Sequence, residues 1–174
     1  MSAESAPSRM LWEQLAAGHS VLTLVCMAVV CVFLSERKVG TKLFRVGVYL
    51  FGVMSTISGL GYKMFPLSDS GKEIETFQEV MHMVVTVPVV LLSIVSLILL
   101  IVAGCKEKKL RGLGILAAIA LGMMFVGAIG QAVVPQDYFG IVERFSVFAA
   151  VGFTAVLGCY LFSGFKKAQG AASA

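Results

Sequence analysis

The chemistry open to this chain rests on a few polar side chains set among long apolar runs. Glu79-Val-Met-His82 is a Glu-x-x-His pair, a carboxylate and an imidazole at i and i+3. That spacing puts both on one face of a helix, and carboxylate-bridged metal bundles use it to present two ligands together. Those bundles supply two such motifs. Here there is one, with Glu75, Asp137, Glu143 and His19 as the residues that could complete a metal shell around Glu79 and His82. A metal-bound or histidine-activated water at that place would make the chain a hydrolase; no G-x-S-x-G nucleophile motif accompanies it. His19 and His82 are the only histidines, and similar depth on two helices would also suit bis-histidine ligation of haem.

A binding site needs no reaction. His82, Glu79, Tyr62, Glu143 and Arg144, joined by His19 and Gln131, would line a polar pocket for a small amphipathic molecule, a lipid headgroup or a partner peptide. Glu143-Arg144 reads equally as an interfacial charge pair. Glu75, Glu79, His82 and Thr86 share one helix face, with Ser93 and Ser96 continuing it; Ser55, Ser58 and Tyr62 share another, and His19, Thr23 and Cys26 a third. Polar groups are costly in lipid, so these stripes must face protein or water. The larger ones gather in one half of the spans, which predicts an outward-opening pocket over an apolar floor. The alternative is that they only hydrogen-bond neighbouring helices. On the pocket reading, His82→Leu loses the ligand and leaves folding intact.

Composition says what must hold these residues in place. Of 174 residues, 58% are hydrophobic and 14% charged, against roughly a quarter charged in soluble domains. Lipid is the natural solvent, and the basic residues, confined to short tracts between apolar runs, do not form a nucleic-acid surface. A helix crosses the hydrocarbon with about 20 apolar residues. Five runs qualify: Leu15–Leu34, Leu43–Tyr62, Val80–Ala103, Gly112–Val134 and Phe145–Phe165. The fold expected is an all-α, integral membrane bundle of five transmembrane helices. It comprises a tail over 1–14, the membrane domain over 15–165 and a tail over 166–174, with no cleavable signal peptide. Pro88 should kink the third helix. The segment Pro7–Ala17 either extends the first helix or lies along the headgroups. Cys26, Cys31, Cys105 and Cys159 show no CxxC spacing and read as free thiols.

Charge orients the bundle. Ten of the 14 lysines and arginines fall in the connections Ser35–Arg45 and Cys105–Arg111 and in the C-terminal tail, whereas only Glu36 and Glu107 of the ten acids lie on that side. The Lys/Arg bias predicts that this side is cytoplasmic, N-terminus out and C-terminus in, in a prokaryotic cytoplasmic membrane. Trp12 and Tyr62 would anchor the outer interface, and Phe44 and Phe165 the inner one. Small residues at Gly114, Ala118 and Gly122, at Gly127 and Gly130, and at Gly52 and Ser55 allow close helix packing. Such packing serves the monomer first and a homo-oligomer second. In an accessory subunit of a membrane complex the same faces would meet the partner. A transporter fits less well, since five spans give no complete alternating-access pair without a dimer.

The second hairpin echoes the first. Arg45-Val-Gly47, Pro66-Leu-Ser-Asp69 and Phe77-Gln-Glu79 find counterparts in Arg111-Gly-Leu-Gly114, Pro135-Gln-Asp137 and Glu143-Arg-Phe145, as a parallel repeat of helices two–three and four–five would give. Gly61-Tyr-Lys-Met-Phe65-Pro66, then Asp69, then His82, and finally Gly140-Ile-Val-Glu143-Arg144 together resemble a bacterial and archaeal family of multi-pass membrane proteins, the domain of unknown function numbered 998, over Val46–Phe162. Members commonly have six spans, so the resemblance implies that this chain lacks the first. It implies no agreed activity or cofactor.

Overall fold

Lipid offers no hydrogen bonds to the backbone, so a spanning segment must pair its own amide groups, as a helix does. The computed structural model describes residues 9–65, 76–135 and 139–166, without the side chains of 9–17, 131, 139, 140 and 143. Among the described residues are five long helices and no strand: α1 (Arg9–Arg37), α2 (Lys42–Met64), α3 (Phe77–Lys106), α4 (Arg111–Val133) and α5 (Phe139–Phe162). All five are long and apolar enough to cross a membrane. From Arg9 onward the first segment continues α1 rather than forming a separate element. Pro88 lies within α3 without ending it. All four cysteines are free.

The helix ends follow local chemistry. At the α1–α2 turn, Lys38 and Gly40 take positive φ (48° and 66°), and Thr41 caps α2 by accepting from the Phe44 N–H at 3.2 Å. A Cβ at Gly40 would stand 2.7 Å from the Phe44 ring. Thr76 and Glu79 form a capping box on α3. After α5, Phe165 N–H donates to the Tyr160 carbonyl and Gly164 N–H to that of Leu161, both at 2.8 Å, with Gly164 at φ 63°. That is a Schellman stop.

The helices form a ring. The closest pairings are α2 with α3, α4 with α5 and α3 with α4, and α1 completes the circle against α2 and α5. Glycines set two of these contacts. A Cβ on Gly104 of α3 would lie 2.7 Å from the Gly114 Cα of α4, so the two backbones touch there. Gly127 and Gly130 of α4 receive Ser146 and Val142 of α5. Between α2 and α3 the Ser96 hydroxyl donates to the Gly47 carbonyl at 2.8 Å in a buried site.

The core is displaced toward the basic end. Met27, Val30 and Leu34 of α1, Phe44, Val48 and Phe51 of α2, Leu97 and Leu100 of α3, Leu113 of α4, and Phe153 and Leu157 of α5 are all buried. Their outward neighbours, such as Val25, Val29 and Val32 of α1, stay exposed. Exposed aliphatics on every helix are what a lipid-facing surface presents. Phe165 is the keystone at this end. The Schellman turn sends it back among Phe33, Phe44 and Tyr160, at ring-centroid distances of 6.0, 6.3 and 5.8 Å. Phe165 is 0% and Phe44 1% exposed, so neither is the interfacial anchor expected from position. Phe162, at 97%, is the residue that projects. Phe165→Ala should therefore lower stability by about 3–5 kcal/mol, and Phe162→Ala by no more than about 0.5 kcal/mol. Unfolding midpoints in detergent micelles read the difference; equal shifts would remove the keystone role.

Candidate functional site

The helices that meet at Phe165 also border a hollow further along their length. Above the edge-to-face pair Phe51–Phe153 (centroids 5.1 Å apart), a cavity of about 460 Å³ opens between α1, α2 and α5. Ser55 and Ser58 of α2, Thr23 of α1 and Thr154 of α5 line it, with Met54 at the floor and His19 and Lys63 higher up. From Ser55 to Lys63 it covers roughly 12 Å of α2 at 1.5 Å per residue. Among the described residues Lys63 is the one lining residue of fixed charge. The Thr154 hydroxyl donates to the Ala150 carbonyl at 3.0 Å, which leaves its oxygen able to accept.

α3 uses its polar stripe differently. Glu79 Oε2 accepts from the Thr76 N–H at 2.9 Å, and the Glu79 N–H donates to Thr76 Oγ1 at 3.3 Å, so this buried carboxylate starts its own helix. The Thr86 hydroxyl donates to the His82 carbonyl (2.8 Å) and Ser93 to that of Val89 (2.7 Å). His82 Nδ1 lies 2.7 Å from the Phe65 carbonyl. A carbonyl only accepts, so Nδ1 is the donor in this contact. The imidazole also stacks on Tyr62, centroids 4.7 Å apart and planes at 23°. It thereby fastens the last turn of α2 to the start of α3, where Phe65 itself donates to the Gly61 carbonyl at 2.9 Å.

The residues singled out by sequence thus fall into separate groups. Tyr62 and His19 share the cavity; its lining does not include His82, which reaches it only through Tyr62. Glu79 serves the α3 cap. Arg144 is exposed on α5. The side chains of Gln131 and Glu143, together with Glu75, Asp69 and Asp137, lie outside the described residues, as does that of Trp12. Among the described residues no group of three or more His, Cys, Asp or Glu side chains comes together. Sequence reasoning missed Lys63, Ser20 and Thr154 as lining residues. For Thr154 a signal existed: Ser146, Ala150 and Thr154 repeat every four residues on α5, a small and polar face.

Five apolar spans joined in a ring define a multi-pass helical membrane protein. The chain belongs to the family described as Protein of unknown function (DUF998), whose model matches residues 3–160 and so takes in α1 as well as the two hairpins. No curated protein and no solved structure matches the chain.

His82→Leu deletes both the bond to Phe65 and the stack on Tyr62. It should cost about 1–3 kcal/mol, seen as a lower unfolding midpoint in detergent. A variant as stable as its parent would show that this fastening contributes nothing.

Proposed function

We propose that this chain is a membrane-embedded binding protein that holds one small amphipathic molecule in the cavity between α1, α2 and α5. The observation that carries this reading is the lining itself: hydroxyls of Thr23, Ser55, Ser58 and Thr154 around an opening that bears His19 and Lys63, above a floor of Met54. Ligand sites in helix bundles are concave and of order 300–1,000 Å³, mostly apolar with a few polar groups that fix orientation, and this cavity has that size and makeup. A polar or anionic head would lie toward Lys63 and His19, and the apolar part against Leu24, Met54 and Val151. Tyr62, held by His82, sets one wall. Among the described residues the lining offers hydroxyls, an imidazole and an ammonium, groups suited to holding a polar head, and the reading is one of binding.

Ser58→Phe fills the middle of the cavity. Native mass spectrometry of gently solubilised protein should find a stoichiometric small molecule on the parent and at least roughly tenfold less on the variant, as expected for a steric block worth about 1.4 kcal/mol or more. Unchanged occupancy, or a parent that carries nothing, removes the proposal.

We also propose that the cavity opens away from the cytoplasm, because the cations gather at the other end. Cys105, exposed beside Lys106, reports this directly. In a protein whose other cysteines are replaced by alanine, a membrane-impermeant maleimide should label Cys105 only after cells are permeabilised. Labelling in intact cells reverses the orientation.

A further inference from the structure

The bundle has a second cavity, at the basic end and on the other side of the ring. It measures about 510 Å³ and lies between α3 and α4, where Gly104 and Gly114 bring the backbones together. Its walls are Ile101, Ile115 and Ala118, and its rim carries Lys108 and Arg111. Both cations are exposed, and Ile115 and Ala118 face outward beside them. Among the described residues neither Lys108 nor Arg111 is paired with a carboxylate. One turn further from Ala118, a Cβ on Gly122 would meet nothing within 4 Å, so the shallow strip continues along α4. An apolar channel open to the side and crowned by two cations matches a molecule with a negative head and an aliphatic tail.

We propose that this groove is a site for one anionic phospholipid from the leaflet at the basic end. Lys108 and Arg111 hold the phosphate, and an acyl chain lies along Ile101, Ile115 and Ala118. Arg111 presents a planar fork suited to two phosphate oxygens and Lys108 a single point charge. Basic recesses between helices are a recurrent arrangement for anionic headgroups, with each nearby cation contributing a factor of about five. The close approach at Gly104 and Gly114 gives the recess its depth: larger residues there would either fill it or push the helices apart. This site shares no residue with the α1–α2–α5 cavity, so the two stand or fall separately.

The test titrates purified protein in detergent with dioleoyl phosphatidylglycerol or dioleoyl phosphatidylcholine and counts bound lipid by native mass spectrometry. The parent should retain one phosphatidylglycerol in preference to phosphatidylcholine. Lys108→Gln with Arg111→Gln should weaken that retention roughly tenfold to thirtyfold. Lys106→Gln with Lys109→Gln, which removes the same charge outside the groove, should change it by less than about threefold. Ala118→Leu, on the exposed wall, should weaken retention with all cations in place. Equal losses from the two charge pairs would mean a diffuse basic surface and overturn the site, as would no preference in the parent or full retention by the Ala118 variant.

Discussion

The aromatic contact at the basic end decides where this bundle is closed and where it is open. Helices in lipid gain little from hiding apolar surface, because the surrounding tails are equally apolar. What holds them is dense packing, close backbone approach and a few hydrogen bonds. Phe165 supplies packing for three helices at once: it belongs to the stop of α5 and rests on Phe33 of α1 and Phe44 of α2. α1 has the fewest contacts in the ring, so a knot that includes it fixes the closure. Further up the same three helices, the rings of Phe51 and Phe153 meet edge to face. Beyond them small residues such as Ser55, Ser58, Gly59, Thr23, Ala150 and Thr154 stand among the larger ones that line the cavity, and their lost bulk leaves it space.

The spans were legible because their signal is long and redundant. A stretch such as Val80–Ala103 has one physical solution in a membrane, and α3 (Phe77–Lys106) contains it whole. The capping residues were present in the sequence as well, in Thr41 and in Thr76 with Glu79. Phe165 shows where this legibility ends. An aromatic residue at the end of an apolar run suggests an interfacial anchor, but Gly164 adopts φ 63° and turns the chain inward, so that Phe165 is buried and Phe162 projects. A run-length argument treats helix ends as boundaries and does not follow the direction taken after them.

The candidate site was half legible for a related reason. Periodicity assigns residues to a face but does not say which neighbour that face meets. The α3 stripe and the α1 and α2 stripes look alike in sequence. In the structure Thr86 and Ser93 bond to their own helix, Ser96 to α2, and Glu79 to the α3 N-terminus, so the carboxylate of the Glu-x-x-His pair is engaged in a cap. His82 binds a carbonyl 17 positions earlier, a partner that no spacing rule would select. Thr23, Ser55 and Ser58 instead look into space across from α5, and only the ring order of the helices brings Thr154 to meet them.

That contrast bears on why the cavity exists. An α-helix disposes of a hydroxyl cheaply by returning its proton to a carbonyl one turn back, as Thr56, Thr86, Ser93 and Thr154 do. Even so satisfied, each oxygen retains acceptor capacity, and a membrane interior supplies no donor for it. Thr154 brings such an oxygen to one hollow, where the hydroxyl residues Thr23, Ser55 and Ser58 also gather beneath an imidazole and an ammonium, a lining that neither acyl chains nor a dry void suits. Water or the polar part of a bound molecule satisfies it far better. The second groove reverses the pattern, with apolar walls below cations and no hydroxyl among its lining residues. A bilayer provides chains ending in phosphate at that level, whereas the first hollow mixes hydroxyl residues with Leu24, Met54 and Val151 along its depth. The two recesses therefore differ in the chemistry they present to the same membrane, through the side chains at their walls and the end of the bundle to which each belongs.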